Sequence, residues 1–117
     1  GVTATVTSGL GVRGWAAAPG GGTDGPSPPG TVNIVVTLPV ALTDAALVNA
    51  VATATEAKVQ ALLDAGLDCS GTPTDAVCVA VPGPGPGEPF AGPRSRWGSR
   101  LARAVHRAVL DGALRQS

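Results

Sequence analysis

Apolar residues recur along this chain with two periods, and the switches between them mark its elements. Residues 2–7 alternate Val or Ala with Thr, the two-residue period of a strand, and Gly9 follows as a stop. Trp15 and the three alanines after it predict a short extended piece. Residues 19–30, with their GGG and SPPG runs, cannot form a regular element and predict a loop. Residues 31–38, TVNIVVTL, are the most strand-like stretch of the chain, and Pro39 ends it. The pattern then lengthens to a helical one over residues 43–66, with Asp44 near the start and Gly66 as the close. Residues 75–81, DAVCVAV, are apolar on both faces and predict a buried strand. Residues 82–93 are a second Pro/Gly loop, and residue 97 to about 112 predict a closing helix with Gly112 near its stop. The order is β-β-α-β-α without internal repeat. It predicts one α/β (α+β) domain over residues 1–117, a small sheet layered with helices.

One position breaks the pattern of the long helix. At about 100° per residue, Leu47, Val51, Ala54, Lys58, Ala61 and Leu62 share a face, while Asn49, Thr53, Glu56, Gln60 and Asp64 form the wet side. Lys58 therefore falls where a core residue belongs. A buried ammonium is unfavourable unless it is paired or works in a site. Either its stem snorkels to water or it lines a polar pocket at one end of the core. Thr55, one turn earlier, is spaced to line the same cavity. Replacing Lys58 by Met is expected to change stability little or even raise it, since the stem's packing is kept and only the charge is removed.

Composition narrows the class. The 117 residues suffice for a single core, 44 % of them are hydrophobic, and only three are aromatic, so Ala and Val must do most of the packing. No stretch approaches the roughly 18 apolar residues of a membrane span, and no export signal opens the chain. Two cysteines are too few for a disulfide framework, and no Cys/His cluster suggests a metal site. Both thiols are expected free in a cytoplasmic setting, with Cys78 inert in the core and Cys69 in a loop. Net charge is zero, yet after residue 93 six arginines oppose one aspartate, a net of +5, and the rest carries −5. This predicts a basic last helix docked on an acidic body. Nucleic acid is disfavoured as a partner, because no recognition motif accompanies the arginines. Residues 1 and 2 enter a β-run at once, which predicts a fold that begins partway through a larger one.

The candidate chemistry gathers at element ends. Residues 70–75, SGTPTD, set hydroxyls beside a carboxylate, suited either to holding a water or amide or to forming a plain Ser/Thr turn. Asn33 is an unusual strand residue that points into a pocket or pairs with neighbouring backbone. A lysine, a carboxylate and hydroxyl donors can together activate water against an amide. His106, between Arg103 and Arg107, is expected to be exposed and is a weak candidate for Ser-His-Asp chemistry. The stripe of Arg100, Arg103 and Arg107 reads as a solvated or salt-bridged face, or one that holds an anionic partner.

Four blocks in order, GTVNIVV (30–36), ALVNAVATATEAK (46–58), GTPTDAVCVA (71–80) and GPRSRWGSRLARAVHRAV (92–109), resemble the adenosylcobinamide amidohydrolase family. The opening GVTATVTSGL is similar to a strand of that family. The resemblance implies a corrinoid-salvage enzyme that hydrolyses the amide joining cobyric acid to aminopropanol, returning the corrinoid to cobalamin synthesis. The family's GTGTDA-like block stands here as residues 71–76, with Pro73 replacing a glycine and stiffening the turn. Family members carry a substantial N-terminal part, so an N-terminal half or second chain is the expected partner. From chemistry and block membership, Lys58, Asp75, Glu56 and Thr55 are the catalytic candidates, and Asn33, Thr72 and Thr74 the substrate-binding ones. The cobalt corrinoid enters as substrate, with no protein metal site expected. The competing reading is a non-catalytic corrinoid- or partner-binding module.

Overall fold

A computed structural model describes residues 1–20, 30–83 and 85–116. Its elements are β1 (Thr3–Gly9), β2 (Thr31–Thr37), α1 (Asp44–Asp64), β3 (Ala76–Ala80) and α2 (Arg96–Arg115), in the expected β-β-α-β-α order. The sheet order is β1-β2-β3. β1 runs antiparallel to β2, with Thr3 opposite Thr37, whereas β3 returns parallel to β2 after α1, with Asn33 opposite Ala76. β3 thus begins beside the third residue of the central strand, directly after Asp75, and this register builds the site described below.

Both helices lie on one face of the sheet, against each other, with α2 over β1 and α1 over β3. Val32, Ile34 and Val36 point into that layer and are fully buried, while Asn33, Val35 and Thr37 face outward. α1 begins at Thr43, whose hydroxyl accepts from the Ala46 N–H. It ends in a Schellman motif: Gly66, at φ +85°, donates to Leu63 O and Leu67 donates to Leu62 O. Ala46, Ala50, Ala54, Ala57 and Ala61 form its buried ridge, as a chain poor in aromatics requires. Gly98 opens the facing helix, where a Cβ would lie 1.9 Å from Gly92 O.

Several expectations need correction. Thr53 is buried, with its hydroxyl donating to Ala91 O at 2.7 Å, while Val51 is 39 % exposed. The buried arc of α1 is set by its contacts with both α2 and the sheet, which a single-faced wheel does not capture. β3 is an edge strand whose outer residues, Cys78 among them, are exposed, because helices cover one face only. Cys69 is the buried thiol. Residues 15–18 form a turn, with Ala18 N–H donating to Trp15 O, in place of an extended piece. α2 runs past Gly112 to Arg115. It docks through Leu101, Val105, Val109 and Ala113. Among the described residues its one side-chain contact with a carboxylate is His106 Nε2 with Asp64, and the rest of its docking face is apolar. Residues 21–29 of the first Pro/Gly loop lie outside the described residues. The second loop is tied to the start of α1 where Thr43 N–H meets Glu88 O and Glu88 N–H meets Ala41 O. Among the described residues no helix is long and apolar enough to cross a membrane, and β1 and β3 are the edges of the sheet.

The cysteines give a direct check. Burial pushes the Cys69 thiol pKa up, with Arg13 and a Gly71 backbone hydrogen bond only partly opposing it. A thiol reagent such as Ellman's is expected to titrate Cys78 in the native protein and Cys69 only after unfolding. Equal reactivity of both in Cys69→Ser and Cys78→Ser variants would contradict the placement.

Candidate functional site

The Lys58 ammonium emerges from the last third of α1 and meets Asp75, the residue before β3, at 2.6 Å. The two side chains are 10 % and 13 % exposed. Of the two readings for Lys58, snorkelling to water or lining a polar pocket, the geometry matches the pocket, where the ammonium is paired and nearly buried. Asp75 Oδ2 also accepts from the Thr72 N–H at 3.1 Å, while Oδ1 accepts from the Val32 N–H at 2.9 Å and from the Thr72 hydroxyl in a short hydrogen bond. A carboxylate offers about four acceptor positions, and all are engaged. Burial alone would raise the Asp75 pKa; hydrogen bonds from Lys58 and from the Thr72 hydroxyl and N–H, with the ammonium's charge, outweigh it and hold the carboxyl below its ordinary value. Asp75 is therefore a holder of charge and a poor proton acceptor. The ammonium has three donors, of which Asp75 takes one, and Lys58 lines an open cleft of about 790 Å³.

Backbone shape makes this pairing possible. A Cβ on Gly71 would fall 2.1 Å from Asp75 Oδ2 and 2.7 Å from Lys58 Nζ. Pro73 lies at the exposed tip of the turn, so its stiffening does not obstruct the pair. The same loop is clasped by residues 13–18: Gly14 N–H donates to Gly71 O, Ser70 N–H donates to Gly14 O, and Ala16 N–H donates to Ser70 Oγ.

The structure brings together Lys58, Thr72 and Asp75 and leaves the other candidates outside this group. Thr55 is exposed, its hydroxyl donating to Val51 O, and does not line the cleft with Lys58. Glu56 is exposed about 200° around the helix from Lys58. Asn33 lies exposed on the outer face of the sheet, away from the helices. Thr74 stitches the loop to β2: its hydroxyl donates to Gly30 O, and its carbonyl accepts from Thr31 Oγ1. His106 pairs with Asp64 at 2.7 Å and lines a different groove, with Arg103 and Arg107. Among the described residues no three potential metal-ligating side chains converge. Sequence reasoning missed Arg13 and Trp15, which also line the cleft. A tryptophan amid Gly and Ala, in a chain with only two, was the available signal.

Two outcomes follow from this geometry. Gly71→Ala is expected to force the ion pair apart and cost about 1–3 kcal/mol, read by denaturant unfolding; an unchanged midpoint would mean the loop relaxes freely. For the pH dependence, a depressed carboxylate contributes stability that is fully present above its unfolded pKa of about 4 and is lost as pH falls through the lower folded value. The melting-temperature gap between the protein and Asp75→Asn is thus expected to be constant from neutrality down to about pH 5 and to shrink below about pH 4. A gap that widens in acid would contradict the assignment.

The family described as adenosylcobinamide amidohydrolase matches residues 1–117. An adenosylcobinamide amidohydrolase of Methanosarcina mazei is 38 % identical over 92 residues, covering 71 % of this chain and 46 % of the relative. One of Halobacterium salinarum is 45 % identical over 83 residues, covering 71 % of the chain and 36 % of the relative. An uncharacterized protein of Methanocaldococcus jannaschii is 36 % identical over 95 residues, covering 74 % and 37 % respectively. The matched segments are less than half of each relative, so the chain spans only part of the proteins it matches. No solved structure matches it. With its whole length matched by one family, the chain belongs to the adenosylcobinamide amidohydrolases.

Proposed function

We propose that this chain carries the oxyanion-stabilising part of an enzyme that cleaves the amide between cobyric acid and aminopropanol in adenosylcobinamide. The observation that carries this reading is a nearly buried ammonium, fixed by a saturated carboxylate, with donors left over at an open cleft. In hydrolysis, water oxygen adds to the amide carbon, negative charge gathers on the carbonyl oxygen, and the C–N bond breaks as the amine takes a proton. A pre-oriented ammonium in a largely desolvated position stabilises that charge. Asp75 positions Lys58, and the Thr72 hydroxyl, already anchored on Asp75, offers its lone pairs to the attacking water. The product acid would return the corrinoid to cobalamin synthesis, in a cytoplasmic setting.

With its acceptor positions occupied, Asp75 does not supply the base. We assign the base to the remainder of the longer family members, packed as an N-terminal half or second chain beside this one. The same observation favours the second reading, that this segment by itself binds corrinoid without turning it over. Incubating adenosylcobinamide with this segment and with the complete polypeptide separates the two. Cobyric acid from the complete polypeptide alone supports a divided site, and cobyric acid from neither defeats the hydrolase reading.

In the complete polypeptide, Lys58→Met is expected to lower turnover at least ~100-fold. Lys58→Arg should fail as well, since a planar guanidinium does not fit the same space. Contrary to the expectation from the helix pattern alone, Lys58→Met should also destabilise by about 1–3 kcal/mol, because Asp75 loses a charged hydrogen-bond partner. Near-normal turnover in Lys58→Met would remove the lysine from the chemistry.

A further inference from the structure

The cleft beside Lys58 contains an aromatic side chain that amide hydrolysis itself does not use. Trp15 is 41 % exposed, and by itself an exposed hydrophobic residue means little. Trp15 differs from an ordinary surface residue in how it is fixed. Its indole Nε1–H donates to Asp68 Oδ1 at 2.7 Å, so the polar tip is consumed and the ring faces are what remain. Its neighbours on both sides are clasped: Gly14 bridges Gly71, and Ala16 N–H donates to Ser70 Oγ at 2.9 Å. The ring is thereby held against the short loop that frames the ion pair. The other tryptophan, Trp97, is only 9 % exposed and packs beneath Arg96 and Arg100. Arg13 also lines the cleft, with Nη1 donating to Leu10 O and the rest of the guanidinium available.

We propose that Trp15 is a specificity platform against which the apolar, methyl-bearing rim of an amide-bearing macrocycle rests while one of its edge amides reaches Lys58, with Arg13 donating to a neighbouring edge carbonyl. This deepens the hydrolase reading and rests on it. A ring anchored through its N–H loses little freedom on binding, so stacking on it adds affinity at low entropic cost. Its contribution is made away from the reacting bond and equally in ground and transition states, so it belongs in KM more than in kcat. A small acyl amide could meet Lys58 equally well but would gain nothing from Trp15. The platform therefore selects by the size and apolar rim of the acyl half.

The test compares the complete polypeptide with its Trp15→Ala and Trp15→Phe variants, using adenosylcobinamide in steady state. Trp15→Ala is expected to raise KM roughly 10-fold or more, the scale of one aromatic stacking contact, with kcat falling far less than kcat/KM. Trp15→Phe should recover part of the loss through its ring. A parallel titration uses Lys58→Met, whose intrinsic fluorescence should be quenched on adding adenosylcobinamide, because a corrin absorbs where indole emits. The same transfer reaches Trp97, so the share of the quenched emission that belongs to Trp15, and not the whole, should be lost when Trp15→Phe is added. An unchanged KM in Trp15→Ala, a fall confined to kcat, or a quench indifferent to Trp15→Phe would overturn the platform. If Lys58→Met keeps its turnover while Trp15→Ala still raises KM, the catalytic assignment fails and the platform stands.

Discussion

The fold around the site depends on a single carboxylate. Asp75 accepts the N–H of Val32 near the start of β2, 43 residues away, the ammonium of α1, 17 residues away, and two donors of its own loop. These bonds set where β3 begins relative to β2 and how α1 returns to the sheet between them. Burying an ion pair gains little when geometry is poor. Here every acceptor position of the anion is met, and that completeness allows both charges to leave water. The arrangement also demands a residue without a side chain at Gly71, since any Cβ would occupy the space where the two charges meet.

Away from the site, the chain solves a packing problem with small residues. Few aromatics are available, so thickness between layers comes from Leu and Val on the sheet and α2, while α1 contributes alanines. Small surfaces let helices approach closely, and close approach is what makes dispersion contacts numerous. Thr53 shows the cost and its remedy. The hydroxyl buried at that interface is satisfied by Ala91 O, so the segment leading into α2 is fixed by a polar bond inside an otherwise apolar contact.

Much of this was legible in the sequence, for reasons that can be named. Strand and helix periods gave the element order, and the Gly66 stop was readable because a left-handed cap requires glycine. Lys58 was conspicuous because charge on an apolar stripe has few resolutions, and Asp75 with Thr72 because they share a turn. The outward face of β3 was not legible. Val77, Cys78 and Val79 are apolar in succession, and only the number of covering layers decides which of them is wet. For the same reason Cys69 and Cys78 exchanged their expected environments. Trp15 escaped because its placement at the cleft depends on a hydrogen bond to Asp68 and on the Gly14–Gly71 bridge, partners more than 50 residues distant. Thr55 looked eligible through its three-residue spacing from Lys58, but its hydroxyl turns back to Val51 O, and Glu56 looked eligible only through nearness in sequence.

The outward row of threonines has a consequence of its own. Thr3, Thr5 and Thr7 on β1 and Thr37 on β2 all turn away from the helices. Their branched shape suits a strand, and their hydroxyls keep the uncovered side of the sheet wettable. A sheet of Val and Ile with the same backbone would have to be covered to remain dissolved. This one tolerates water there, so any layer laid over it must offer hydrogen-bond partners to each hydroxyl it displaces from solvent. Among the described residues that side is lined by threonine hydroxyls around the exposed Val35, whereas the helical side is filled by apolar packing.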